Sequence, residues 1–227
     1  MLMINVLIAD DHPVVRMGLK TILEKEPDIS VNSQARTARE ALDLVGKTEF
    51  DIILLDISLP DRNGLDLLHQ LKNDYPELKV LIMSMHPEEV YAVRALKEGA
   101  SGYLSKDCAT ADLVYAVRKA TSGGRYVSPS LAEQLAYQLT DDFDAPPHRA
   151  LSNREFQVMC MISGGKTIKD ISRNLFLSEK TVSTYRSRIL KKMNFKNNAE
   201  LIKYSIKNNL VSYVCVTITA LEGVLHF

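Results

Sequence analysis

Five side chains of this 227-residue chain have the types and the order needed for phosphoryl chemistry. Asp10 and Asp11 close one apolar run, Asp56 closes a second, Ser84 ends a third and Lys106 follows a fourth. If those runs are neighbouring parallel strands, three carboxylates converge at one sheet edge and raise one another's pKa values. A hard divalent cation relieves that repulsion, and Mg²⁺ takes a few carboxylate oxygens while keeping several waters. A hydroxyl and an ammonium at the same edge complete a set that can orient an aspartyl nucleophile and hold the oxygens of a phosphoryl group. Each residue also has an ordinary reading: Asp-Asp as a helix N-cap, Asp56 as a strand end, Lys106 as a solvated side chain. Their joint occurrence at successive strand ends is what favours chemistry.

The elements that would position them alternate along the first half. Apolar, β-branched runs at Met3–Ala9, Ile29–Ala35, Ile52–Leu55, Val80–Met83 and Gly102–Leu104 predict strands. Helical spacing predicts helices at Val14–Glu24, Thr37–Lys47, Gly64–Asp74, Glu88–Glu98 and Thr110–Thr121, with Pro13 in a first turn and Gly99 as a terminator. The continuously apolar Ile52-Ile53-Leu54-Leu55 suits a central strand covered on both faces. Five βα units imply an α/β, doubly wound, five-stranded parallel sheet, with functional groups at the carboxyl ends of its strands. Residues 1–125 form the expected first domain.

Composition is that of a globular chain without a membrane association. The longest apolar stretch, Val211–Ile218, is too short and too polar to cross a bilayer, and the N-terminus lacks a signal-peptide pattern. Cys108, Cys160 and Cys215 show no paired spacing, which predicts a reducing cytoplasm and no cysteine metal site. The zero net charge conceals a division. Through Arg149 there are 16 Lys and Arg against 23 Asp and Glu, whereas Ala150–Leu210 holds 12 against 4. An acidic front and a basic back fit a metal or phosphate module joined to a polyanion binder.

Residues 1–125 resemble the response-regulator receiver family. The resemblance is carried by Ile8-Ala9-Asp10-Asp11-His12-Pro13, by Leu55-Asp56-Ile57-Ser58-Leu59-Pro60-Asp61-Arg62-Asn63-Gly64, by Ser84 and by Gly102-Tyr103-Leu104-Ser105-Lys106. It implies that Asp56 accepts phosphate from a sensor histidine kinase, and that Asp11, Asp56 and the Ser58 carbonyl bind Mg²⁺ with support from Asp10. It also implies that Ser84 and Lys106 contact the phosphoryl group, and that Tyr103 is the aromatic residue that moves with Ser84. Asp107 stands where many relatives have proline. Two enzyme classes fit poorly. A haloacid-dehalogenase-type phosphatase needs a second Asp two positions after its nucleophile, and Asp-Asp-His-Pro would repel a flavodoxin's phosphate.

Residues 126–149 lose periodicity, and Asp141-Asp142-Phe143-Asp144-Ala145-Pro146-Pro147 reads as a linker preceded by one short helix, 129–139. Beyond it every strong signal is helical. Ser152 and Glu155 make a capping-box pattern, Gly164-Gly165 ends that helix, and helices at Thr167–Leu175 and Glu179–Met193 flank a short turn. A helix, turn and second helix is the geometry that enters a major groove. In the Glu179–Met193 helix Val182, Ile189 and Met193 share one face, and Lys180, Thr184, Ser187, Arg188 and Lys191 share the other.

Residues 150–211 resemble the LuxR-type helix-turn-helix of the NarL/FixJ subfamily, through Leu151-Ser152-Asn153-Arg154-Glu155, Gly165–Ile171 and Leu177–Arg186. Matching positions imply that Ser183, Thr184 and Ser187 lie near base edges of double-stranded promoter DNA, and that Lys180, Thr181, Arg186, Arg188 and Lys192 hold phosphates. The helix at Asn198–Asn208 resembles the segment through which such domains pair, which implies a homodimer when phosphorylated. The tail, 212–227, departs from the family and reads in part as a strand. The expected function is phosphorylation-dependent transcription regulation by a non-enzyme; an adaptor with DNA binding lost is the alternative.

Overall fold

The computed structural model describes residues 3–85, 88–108, 110–133 and 146–211. The chain divides into two units, Met1–Thr140 and Asp141–Phe227, and each is considered by itself.

In the first unit five strands, β1 (Ile4–Ala9), β2 (Ile29–Ala35), β3 (Ile52–Asp56), β4 (Lys79–Ser84) and β5 (Gly102–Ser105), form one sheet in the order β2-β1-β3-β4-β5. All four pairings are parallel. Helices α1 (Pro13–Leu23), α2 (Ala38–Val45), α3 (Gly64–Asp74), α4 (Glu88–Lys97) and α5 (Thr110–Thr121) follow the strands in turn. β3 sits in the middle because Ile52, Ile53, Leu54 and Leu55 are apolar on both faces, and all four are fully buried. Alternation along the strands sorts the core into two layers. Val6, Ile8, Ile52, Leu54, Leu81, Met83 and Leu104 pack with Leu19 and Leu23 of α1 and Leu113 and Val117 of α5. The opposite face carries Leu7, Ile53, Leu55, Ile82 and Tyr103, all fully buried.

The first unit reaches past residue 125, where the linker was expected to begin. The Tyr126 N–H donates to the Ser101 carbonyl at 2.8 Å, Tyr126 makes a parallel bridge to Gly102, and residues 129–133 are helical with Leu131 buried. Tyr126 pairs with the sheet, and Ser128 and Ser130 bond to Glu88 of α4, so loss of periodicity here does not mark a linker. The remainder of the expected 129–139 helix, the segment 141–145 and the tail with Cys215 lie outside the described residues.

The second unit is helical: a 3₁₀ turn at Pro147–Ala150, then α6 (Asn153–Ser163), α7 (Ile168–Asn174), α8 (Glu179–Met193) and α9 (Asn198–Lys207). The turn belongs to this unit because the His148 ring packs on Phe156 and Tyr204 and its Nδ1 lies 2.8 Å from the Tyr204 hydroxyl. The linker expected over 126–149 is therefore shortened from both ends. Side-chain caps start all four helices: Ser152 before α6, Thr167 before α7, Ser178 before α8 and Asn197 before α9 each accept a backbone N–H. Each such cap stabilises its helix by about 1 kcal/mol. No described helix is long and apolar enough to cross a membrane.

One glycine is fixed by space rather than by dihedral freedom. At Gly64, the start of α3, a Cβ atom would lie 2.2 Å from the Asp56 carbonyl oxygen and 2.7 Å from the Ile57 Cα. Backbone blocks backbone there, so no rotamer change gives relief. Gly64→Ala is expected to destabilise the first unit by about 3 kcal/mol. A urea melt of that unit checks this, and a loss under 1 kcal/mol would show that the loop yields easily.

Candidate functional site

The parallel register brings the expected residues to one edge. Ala9 pairs with Leu55 and Asp56 with Met83, so Asp10 follows β1 beside the end of β3, and Ser84 ends β4 one residue further. Lys106 follows β5, two strands away from β3, a separation of about 10 Å. Its long stem spans that distance. The ammonium donates to Asp56 Oδ2 at 2.8 Å and lies 2.6 Å from Asp10 Oδ2, with the side chain only 7% exposed. Ser84 and Tyr103 are fully buried in adjacent strands, and Asp56 and Asp10 are each 2% exposed.

The carboxylate backbones are themselves anchored. Arg16 Nη1 donates to the Asp10 carbonyl at 2.7 Å, and the His12 N–H donates to Asp10 Oδ1 at 2.8 Å. After β3, Gly64 N–H donates to the Ile57 carbonyl at 2.8 Å, Ser58 bridges Asn63, and the buried Asn63 side chain caps α3 through Leu65 N–H. Asp61 accepts from the N–H groups of Ala38 and Arg39 at 2.8 and 3.0 Å, fastening this loop to the start of α2. Sequence reasoning gave no role to Arg16, Asp61, Asn63 or Gly64. The available signal was glycine at a first helical position, where it is a poor helix former.

Burial pushes the Asp56 carboxyl above the usual carboxylate range, and the Lys106 ammonium opposes that rise without cancelling it. For Lys106, burial favours the neutral amine, but Asp56 and Asp10 together outweigh it and raise its pKa. Two carboxylates, Asp10 and Asp56, thus share one ammonium. Asp56 Oδ1 is buried with no hydrogen-bond partner, and Asp10, Asp11, His12 and Asp56 present ligand atoms all within 4.8 Å of one another. Oxygen donors around a buried carboxylate oxygen without a hydrogen-bond partner fit a divalent cation, and the acidic pocket has the composition to hold one.

In the second unit Val182, Ile189 and Met193 are buried, and Lys180, Ser183, Thr184, Ser187, Arg188 and Lys191 are exposed on α8. Lys180, Thr181, Thr184, Tyr185 and Arg188 line a shallow groove. The Thr184 and Ser187 hydroxyls donate to the carbonyls four residues back, at 2.9 and 3.0 Å, and so present acceptor lone pairs outward. Two expected phosphate contacts are engaged within the unit. Arg186 Nε donates to Asn198 Oδ1 at 2.7 Å, tying α8 to α9. Lys192 Nζ donates at 2.6 Å to Glu155, a carboxylate 3% exposed that also closes the capping box of α6. The charge on Lys192 compensates a buried acid, while the lysine side chain itself stays 43% exposed.

These two units define a phosphoacceptor-type α/β domain joined to a helix-turn-helix domain. Residues 6–118 match the response regulator receiver domain family, and residues 149–205 match the luxR family of bacterial regulatory proteins. The chain is 35% identical over 209 residues to the response regulator UvrY of Escherichia coli K12, covering 92% of this chain and 96% of UvrY. It is 35% identical over 210 residues to GacA of Pseudomonas viridiflava, covering 92% and 98%. A structure of Salmonella enterica serovar Typhimurium RcsB bound to promoter DNA, 23% identical, has the same fold with a TM-score of 0.62, over 89% of this chain and 98% of that one. The chain belongs to the NarL/FixJ subfamily of two-component response regulators, which are DNA-binding transcription regulators.

Glu155 links local pH to stability. Burial pushes its carboxyl up, but the Lys192 ammonium and the Ser152 N–H and hydroxyl outweigh burial and hold it below the usual range. A depressed folded pKa contributes stability that is present above the ordinary carboxylate range and lost as pH falls through the folded value. Glu155→Gln keeps the cap and removes the charge. It is expected to cost the second unit about 1–2 kcal/mol at pH 7, with the difference from wild type vanishing in acid. Calorimetry across pH checks this, and a difference that persisted in acid would remove the charge from the explanation.

Proposed function

We propose that Asp56 is the phosphoacceptor of this response regulator, and that Lys106 bonded jointly to Asp56 and Asp10 is the observation that carries the assignment. One oxygen of the Asp56 carboxylate attacks the phosphorus of a phosphohistidine on a sensor histidine kinase. The P–N bond breaks, the imidazole leaves with the electron pair, and an aspartyl phosphate forms. Asp11, Asp56 and the Ser58 carbonyl would hold Mg²⁺, with Asp10 in support. Bound there, the ion neutralises charge on the transferring group. Lys106 neutralises a further oxygen and is held in reach by Asp10. Ser84 would take another phosphoryl oxygen, and Tyr103, buried on the next strand, would follow its movement and bias a two-state surface.

The output is binding to double-stranded promoter DNA through α8. Ser183, Thr184 and Ser187 are proposed near base edges, and Lys180, Thr181, Arg188 and Arg186 near phosphates. The RcsB relative is bound to a promoter in the structure cited above. Pairing of two copies through α9 when phosphorylated would match two half-sites. A cytoplasmic location is supported by the lack of paired cysteine spacing.

With a small phosphodonor and Mg²⁺, the wild-type chain is expected to be labelled and Asp56→Asn to remain unlabelled; equal labelling of both would remove Asp56 from the role. For the DNA face, Lys180→Ala is expected to weaken promoter binding and reduce the slope of log K against log salt by about one. Lys192→Ala is expected instead to lower the melting temperature of the second unit and leave that slope unchanged. A binding titration across salt concentrations separates the two.

A further inference from the structure

We propose that His12 adds a nitrogen ligand to the acidic pocket, so that the pocket also takes a borderline divalent ion of the zinc class in competition with a hard cation. This rests on the reading of the pocket as a divalent-cation site.

Among the described residues the His12 ring bonds only to the pocket carboxylates. His12 sits at the N-cap of α1, where its side chain makes no capping hydrogen bond, and it is 62% exposed. Its Nδ1 nevertheless lies 2.6 Å from Asp11 Oδ1 and 3.3 Å from Asp10 Oδ1. Pro13 follows at the first helical position and fixes the chain direction there. The imidazole is thus held against the carboxylates by the start of the helix.

The oxygens divide between two cations. Lys106 occupies Oδ2 of both Asp10 and Asp56. Asp56 Oδ1 is left buried and without a hydrogen-bond partner, and Asp11 Oδ1 has none in good geometry despite the nearby ring. Neighbouring ligand atoms on one tetrahedral zinc ion stand about 3.3 Å apart. The four ligand atoms here already lie within 4.8 Å of one another, so an exposed ring closes the gap with a small rotation.

The donor set decides which ion gains. Carboxylate, carbonyl and water suit Mg²⁺, whereas an imidazole adds affinity for Zn²⁺, Co²⁺, Ni²⁺ and Cu²⁺ and little for Mg²⁺. Three carboxylates with one imidazole supply four ligands, the number a tetrahedral zinc ion takes, one of them a nitrogen that an all-oxygen site lacks.

The test is calorimetric titration of the full chain with Zn²⁺ and with Mg²⁺, for wild type, His12→Ala and Asp56→Asn, with Co²⁺ absorption as a spectroscopic readout. His12→Ala is expected to weaken Zn²⁺ about tenfold or more and to change the visible Co²⁺ bands, while Mg²⁺ affinity is retained. Retained Mg²⁺ binding also shows that the variant is folded. Asp56→Asn is expected to weaken both ions. If His12→Ala leaves Zn²⁺ affinity unchanged, or shifts both ions equally, the proposal is overturned and the cation pocket stands. If Asp56→Asn leaves both affinities unchanged, the pocket reading itself falls and takes the proposal with it. A thiolate charge-transfer band with Co²⁺ would place the ion on a cysteine and overturn the proposal as well.

Discussion

The Lys106 ammonium, shared by Asp10 and Asp56, is the interaction on which the first unit's function is built. A buried carboxylate is tolerated only when its charge is met. Lys106 meets two of them from a strand that is neighbour to neither. That reach requires β1 and β3 adjacent with β4 between β3 and β5, which is the strand order observed. The carboxylates must also be fixed in advance. Arg16 and the His12 N–H do this for Asp10, and the Gly64 and Asn63 hydrogen bonds do it for the loop leaving Asp56. The site is therefore assembled by backbone contacts, with the titratable groups set upon them.

The second unit applies the same rule with the opposite outcome for its surface. Glu155 is nearly buried, and its charge is met by Lys192 of α8 from a side chain that stays 43% exposed. The other cations of that helix, Lys180, Arg188 and Lys191, are left exposed. Arg186 is drawn toward α9 by Asn198. Which cations of α8 pair within the unit is thus set by two polar groups on other helices, α6 and α9.

The fold was largely legible because its signals are local and repeated. Continuous apolar runs gave the central strands, and Ser152 with Glu155 marked a helix start that the structure repeats as a hydrogen-bonded capping box. The carboxylates, Ser84 and Lys106 were legible because strand ends in a parallel sheet share an edge. What escaped was long-range pairing. Nothing near Lys192 in sequence says that Glu155, 37 residues away, will claim it. Tyr126 follows a glycine pair that reads as a loop, and its bridge to Gly102 depends on the sheet being present first. Gly64 looked like a weak helix start, and its need comes from the Asp56 carbonyl that the folded loop brings against it.

The Tyr126 bridge has a consequence for how the protein can meet its own copies. β5 ends the sheet, and an open strand edge invites another chain to extend it through main-chain hydrogen bonds. Tyr126 stands against that edge at Gly102, the first residue of β5, where a Cβ atom would lie 2.7 Å from the Tyr126 carbonyl oxygen, so only glycine admits the bridge. Main-chain pairing along β5 would proceed irrespective of side-chain chemistry and would ignore any signal written on an aspartate. With the start of β5 already bridged, association there falls to side-chain surfaces, whose fit a covalent change elsewhere in the domain can alter.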